Sequence, residues 1–206
     1  MIIINSGLGN FNSVLNMIRK CGSNALLTNS YEDVFNSKKI ILPGIGSFDQ
    51  AIKSLRKFSL DKAICEALNN GSYLLAICVG MQMLFDSSEE GNLKGLSLIK
   101  GKIKKFKFNT NTNTNTNKLP IPHMGWNNID LKKKSRLFSD QTENNKFYFA
   151  HSYYAVCQNT EDELSSTNYS FEFTSSVEKN NIFGVQFHPE KSHKFGVKLF
   201  KNFISL

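Results

Sequence analysis

No two of the four cysteines form a C-x-x-C pair, so the sequence offers neither a zinc knuckle nor a disulfide framework. Cys21, Cys65, Cys78 and Cys157 lie far apart, which fits a reducing compartment and makes the cytoplasm the expected location. No apolar run reaches the length of a membrane span, and Met1-Ile2-Ile3-Ile4-Asn5 is a strand-like run without a charged n-region and too short for a signal h-region, so neither membrane nor secretory leader is expected. Gly7 and Gly9 lack the third glycine of a dinucleotide fingerprint, which argues against a Rossmann cofactor site. The lysines are scattered and no aromatic-basic module accompanies them. The formal net charge of +8 therefore reads as a solvated surface, and nucleic acid is not an expected partner.

What is present suits one α/β domain over residues 1–206. Apolar runs near 2–4, 25–28, 39–42 and 73–77 read as buried strands. Helical spacing follows the first of these to about Lys20, with Val14, Met17 and Ile18 inward. It returns after Ser47, over 60–69 and after Cys78. This alternation predicts a flavodoxin-like, mostly parallel sheet with helices on both faces. Pro43 is expected to end the third strand, and Ser47 and Asp49 to cap the helix after it.

The second half reads differently. Short strands are expected at 96–100, 102–108 and 146–150, with a hairpin from 170–177 and 182–187, giving a smaller antiparallel sheet. The prolines and glycine of 120–127 predict a structured loop. The Asn/Thr alternation at 109–117 has nothing to bury and reads as a loose surface loop. A last helix places Val197, Phe200, Phe203 and Ile204 inward.

Three segments carry chemistry. In residues 74–82, an apolar strand runs into Cys78 and a glycine follows two positions later, the layout of a nucleophile elbow with sulfur in place of oxygen. Taken alone, this also suits a plain core cysteine. His188 follows the strand expected at 182–187, with Glu190 two residues on and Pro189 stiffening the link. That spacing lets the carboxylate orient the imidazole while its other nitrogen faces a thiol. Pro43-Gly44-Ile45-Gly46-Ser47-Phe48 could aim backbone N–H groups at a developing negative charge.

Together, P-G-I-G-S-F, I-C-V-G-M-Q and Q-F-H-P-E-K-S resemble the class I, triad-type glutamine amidotransferases. P-H-M-G-W-N at 122–127 and Y-F-A-H-S-Y-Y at 148–154 look like the glutaminase subunit of imidazole glycerol phosphate synthase within that family. The resemblance implies Cys78 as thioester-forming nucleophile, His188 as general base then acid, and Glu190 as its orienter. Gly44, Ile45, Gly46 and Val79 would form the oxyanion region. Gln82, Glu90, His151, Ser152 and Tyr153 would hold L-glutamine. Gly7, Gly9, Asn10, Tyr148 and Lys191 would face a (β/α)₈-barrel cyclase subunit, forming a heterodimer. That partner would use the ammonia to convert PRFAR to imidazole glycerol phosphate and AICAR. No metal or organic cofactor is implied.

The sequence departs from the family pattern at Asn5-Ser6-Gly7 (commonly Asp-Tyr-Gly), at Ala76 (commonly glycine) and at Val79 (commonly leucine). The altered first loop and the tail at 192–199 also look like paralogues that supply ammonia for aminating or amidinating bacterial surface sugars. A scaffold without catalysis and a thiol peptidase on a similar sheet are further alternatives.

Overall fold

The computed structural model describes residues 1–7, 9–108, 119–139 and 145–206. The Asn/Thr tract lies outside the described residues. The first half alternates strands and helices: β1 (Ile2–Ile4), α1 (Phe11–Lys20), β2 (Leu26–Thr28), α2 (Tyr31–Phe35), β3 (Lys39–Gly44), α3 (Phe48–Lys57), α4 (Leu60–Asn69), β4 (Tyr73–Cys78) and α5 (Val79–Met83). The second half is mainly strand: β5 (Ser87–Ser88), β6 (Gly101–Lys105), β7 (His123–Asn128), β8 (Asp130–Leu131), β9 (Lys146–His151), β10 (Tyr153–Cys157), β11 (Glu163–Tyr169), β12 (Phe171–Lys179) and β13 (Ile182–Val185). Helix α6 (His193–Ser205) closes the chain.

Strands β2, β1, β3, β4 and β13 lie side by side, all parallel. Their near-continuous runs of Ile, Leu and Val are what a sheet covered on both faces requires. From β1 the chain moves outward to β2, then back across β1 to β3 and on to β4. Right-handed crossovers therefore put α1 on one face and α2, α3 and α4 on the other. The packing agrees: α1 lies against α6, while α4 lies against α2 and α3.

Beyond β13 the sheet turns antiparallel. β12 pairs with β13, β10 with β12 and β6 with β10. Most of the antiparallel strands thus extend the main sheet, and β7 with β9 forms a separate two-stranded ribbon. The turn at Asn180-Asn181 completes the expected hairpin.

Several local expectations give way to tertiary packing. β3 continues through Pro43 and Gly44, which pair with Ile77 and Cys78. Its neighbour β1 pairs only to Ile41, so the missing Pro43 N–H costs no ladder bond on that side. α2 was not expected; the Ser30 hydroxyl accepts the Asp33 N–H, and Glu32 and Asp33 suit a helix start. Residues 96–100 form no strand. Instead the N–H groups of Leu96, Leu98 and Ile99 donate to the Met83 and Leu84 carbonyls, ending α5 after five residues. The loop expected at 120–127 becomes strand from His123 onward, because β9 offers a full ladder. In α6, Leu199 is buried with Phe200 and Phe203, whereas Val197 and Ile204 are half-buried.

Candidate active site

Cys78 ends β4 with φ 55 and ψ −113, a backbone conformation that side-chain-bearing residues rarely hold. Close backbone contact enforces it. A Cβ on Gly80 would lie 2.1 Å from the Leu42 carbonyl oxygen, and one on Gly44 would lie 2.5 Å from the Gly80 nitrogen. The two glycines let β3 press against the turn after the cysteine. Ala76, in place of the usual glycine, is fully buried between Leu42 and Gly184 of the flanking strands. A Cβ on Gly184 would meet Met81 and Val177 at 2.9 Å, so the small residue required here sits on β13.

Because β13 runs parallel to β4 with Val185 opposite Ile77, Gln186 falls beside Cys78 and His188 reaches the same edge. His188 Nδ1 donates to Glu190 Oε1 at 2.8 Å, and His188 lines the same cavity as Cys78. Glu190 Oε2 is buried with no hydrogen bond among the described residues. The His188 backbone is tied down: its N–H donates to the Tyr148 carbonyl at 2.8 Å, and its carbonyl accepts the Ser192 hydroxyl at 2.6 Å. Ser192 Oγ also accepts the Tyr148 N–H at 3.0 Å.

Burial opposes charge on His188, but the Cys78 sulfur and the Glu190 carboxylate together outweigh it and push its pKa up to about 10. The folded value stands above the unfolded one of about 6.5. Stability from this site is therefore fully present below about pH 6.5 and is lost as pH rises through about 10. Glu190→Gln removes one of the two sources. Its deficit in thermal midpoint should be complete near pH 6 and shrink as pH approaches about 10, read by thermal denaturation across that range. A deficit independent of pH would show that the carboxylate does not act through His188.

A cavity of about 340 Å³ opens at this edge. It brings together Ile45, Gly46, Cys78, Val79, Gln82, Glu90, His151, Ser152, Tyr153, His188 and Lys191 from the sequence expectations. Pro122, Met124 and Ala150 join them. Gly44 lies behind the wall, opposite Cys78 in the β3–β4 register, and Glu190 lies behind His188.

The expected caps of α3 need correction. Ser47 stands at the cap position without a side-chain bond, and Asp49 instead accepts the Asn92 and Leu93 N–H groups. Glu90 caps the helix by accepting the Phe48 N–H at 2.8 Å, which carries the segment 90–93 onto α3 and puts Glu90 in the cavity wall. The His151 ring has no nitrogen left for a ligand: Nδ1 lies 2.7 Å from the Tyr153 carbonyl and Nε2 lies 2.9 Å from His123 Nδ1.

Sequence reasoning missed Gln186, whose Nε2 donates to Cys78 Sγ at 3.7 Å and whose Oε1 accepts Gln82 Nε2 at 3.1 Å. The signal was available, since one residue between Gln186 and His188 puts both on one side of an extended segment. Gly7 and Asn10 are exposed at the C-terminal end of β1, with Gly9 half-buried between them, and Leu8 lies outside the described residues. Tyr148 is half-buried under the Lys191 ammonium, 5.7 Å from its ring centre.

A family model described as glutamine amidotransferase class-I matches residues 2–206. The chain belongs to the class I glutamine amidotransferases. Among curated relatives of this family, "Imidazole glycerol phosphate synthase subunit HisH 2" of Methanococcus maripaludis is 48% identical over 98% of this chain and 97% of its own length. A protein of the same name from Pseudomonas aeruginosa is 41% identical over 100% of this chain and 99% of its own length. The subunit HisH of Leptospira borgpetersenii is 38% identical over 99% of this chain and 98% of its own length. The fold matches solved structures. The PurLQS structure from Thermotoga maritima has a TM-score of 0.74 at 16% identity, over 99% of this chain and 96% of that one. A crystal structure described as a glutamine amidotransferase gives 0.71 at 14% identity, over 99% and 97%.

Proposed function

We propose that this amidotransferase is the glutaminase subunit of an imidazole glycerol phosphate synthase. The meeting of Cys78 with a Glu190-bonded His188 in one cavity carries the chemistry, and full-length identity of 48% and 41% to relatives bearing that name carries the pathway. The Cys78 sulfur attacks the carboxamide carbon of L-glutamine, with the thiol proton held on His188. The oxyanion faces the Val79 N–H and the Gly44-Ile45-Gly46 loop. His188 returns the proton to the leaving nitrogen, which departs as ammonia and leaves a glutamyl thioester on Cys78. His188 then takes a proton from water, which attacks the thioester, and glutamate leaves as the thiol is restored. The balance is glutamine and water in, glutamate and ammonia out.

Gln82, Glu90, Ser152 and Tyr153 would hold glutamine, and His151 would hold Tyr153. The partner is a (β/α)₈-barrel cyclase subunit that uses the ammonia to convert PRFAR to imidazole glycerol phosphate and AICAR. Lys191, Tyr148 and the loop bearing Gly7, Gly9 and Asn10 would face it. Ile45 and Met124, both exposed at the cavity mouth, would lie at the same contact.

The test is growth without histidine in a strain that lacks its own glutaminase subunit, with this chain co-expressed with its cyclase partner. Growth supports the reading, and failure sinks the pathway assignment. One observation favours a second reading, ammonia supply for surface-sugar amination: the first loop reads Asn5-Ser6-Gly7. Under that reading the strain does not grow, while the protein with its native partner still releases glutamate from glutamine.

A further inference from the structure

The two histidines beside the cavity are joined in a way that fixes each proton. His151 Nδ1 lies 2.7 Å from the Tyr153 carbonyl, which only accepts, so this nitrogen carries the hydrogen. The uncharged ring then has a bare Nε2, and His123 Nδ1, 2.9 Å away, must donate to it. His123 Nε2 is in turn bare and accepts from Asn127 Nδ2 at 3.3 Å. A single arrangement satisfies all three contacts. Burial pushes His123 down to about 4 and His151 to about 3, which keeps both rings uncharged at neutral pH.

Packing keeps the rings from turning. His123 lies between Phe149 and Tyr169, with centroids 4.7 and 3.9 Å away and rings nearly parallel. His151 is packed against Phe106 and Phe173 at 5.3 Å each.

The chain of bonds continues to the nucleophile. The Tyr153 carbonyl that His151 grips also accepts Gln82 Nε2 at 3.4 Å. Gln82 donates to Gln186 Oε1 at 3.1 Å, and Gln186 Nε2 reaches Cys78 Sγ at 3.7 Å. Gln82 and Gln186 are both buried, at 3% and 0% exposure, so neither amide has water as an alternative partner.

We infer that His123 is a positioning residue of the glutaminase site: it locks His151 as the Nδ1–H tautomer, and His151 then sets the Tyr153 carbonyl on which Gln82 and, through Gln186, the Cys78 sulfur are registered. The inference rests on the proposed glutaminase reading and names a residue of β7 that would touch neither glutamine nor the sulfur. Removing the His123 donor frees His151 to take the other tautomer, which would set a lone pair against the Tyr153 carbonyl and loosen that wall.

Two measurements test this. Ring ¹⁵N–¹H correlation spectra of the full chain near neutral pH should show Nδ1–H on both histidines. An Nε2–H tautomer at His151 overturns the inference. Glutaminase kinetics on the complex with the cyclase subunit form the second arm. His123→Phe should raise KM for glutamine about tenfold, one hydrogen bond's worth, with kcat changed less than about threefold. His123→Asn keeps a donor near the Nδ1 position and should recover most of the loss. An unchanged KM in folded His123→Phe overturns the inference, as does a His123→Asn variant no better than His123→Phe. The ring spectra need no substrate, so failure of the positioning role is told apart from failure of the glutaminase reading.

Discussion

Cys78→Ala should abolish glutamine-dependent turnover, lowering it by about 10⁴-fold or more, while the cyclase partner supplied with an ammonium salt keeps its rate. The size of the loss follows from the absence of a substitute. Among the other thiols, burial pushes Cys157 up to about 12 and raises Cys21 and Cys65, and none of these lines the cavity. His188 and Glu190 would remain in place without a nucleophile to activate. Glutamate release and ammonium-driven product formation, measured on the same complex, separate lost chemistry from lost assembly. Residual hydrolysis within tenfold of the unsubstituted protein would remove Cys78 from the mechanism and revive the scaffold alternative.

Gly80→Ala should have a large effect on stability. The added Cβ would lie 2.1 Å from the Leu42 carbonyl oxygen, a backbone atom in a strand paired on both sides. No side chain can turn away to relieve that clash, so either β3 or the Cys78 turn must move. Overpacking of this kind costs about 3 kcal/mol, which for a chain of this size lowers the thermal midpoint by about 6–12 °C. Because the same turn holds Cys78 at φ 55, activity should fall beyond what the stability loss explains at a temperature where the variant is folded. Thermal denaturation and glutaminase assays well below the midpoint check both parts. A midpoint within about 2 °C of the unsubstituted protein would show that β3 and the elbow are not in the tight contact described.

How far the sequence could be read depends on where the determining contacts lie. The strands of the parallel sheet are long apolar runs between glycine and polar breaks, so their periodicity is local and legible. So was the pairing of His188 with Glu190, two residues apart and stiffened by Pro189. The short strands of the second half were harder. β12 falls on the expected hairpin arm, but β11 was not expected: its buried Ser165, Ser166 and Thr167 read as polar loop until the partner strand is known, where Ser165 bonds Ser175 and Ser176 across the sheet. The cap on α3 comes from Glu90, 42 residues beyond the N–H it accepts, and no local rule would prefer it to Ser47 or Asp49. The histidine pair was missed for the same reason, since His123 and His151 meet only through the β7–β9 register.

Ser152 has a further consequence. It is the single residue between β9, in the two-stranded ribbon, and β10, in the main sheet, and it lines the cavity. The ribbon is tied to the main sheet at its other end too, where Ile129 alone separates β7 from β8. The ribbon is thus held to the main sheet by a one-residue joint at each end. Inserting or deleting one residue in 146–157 would turn every later side chain to the opposite face, exchanging Tyr153 for a neighbour in the cavity wall and pulling Ala155 from its place opposite Ile103. This stretch can change its letters over time, but its length is fixed by the joint in its middle.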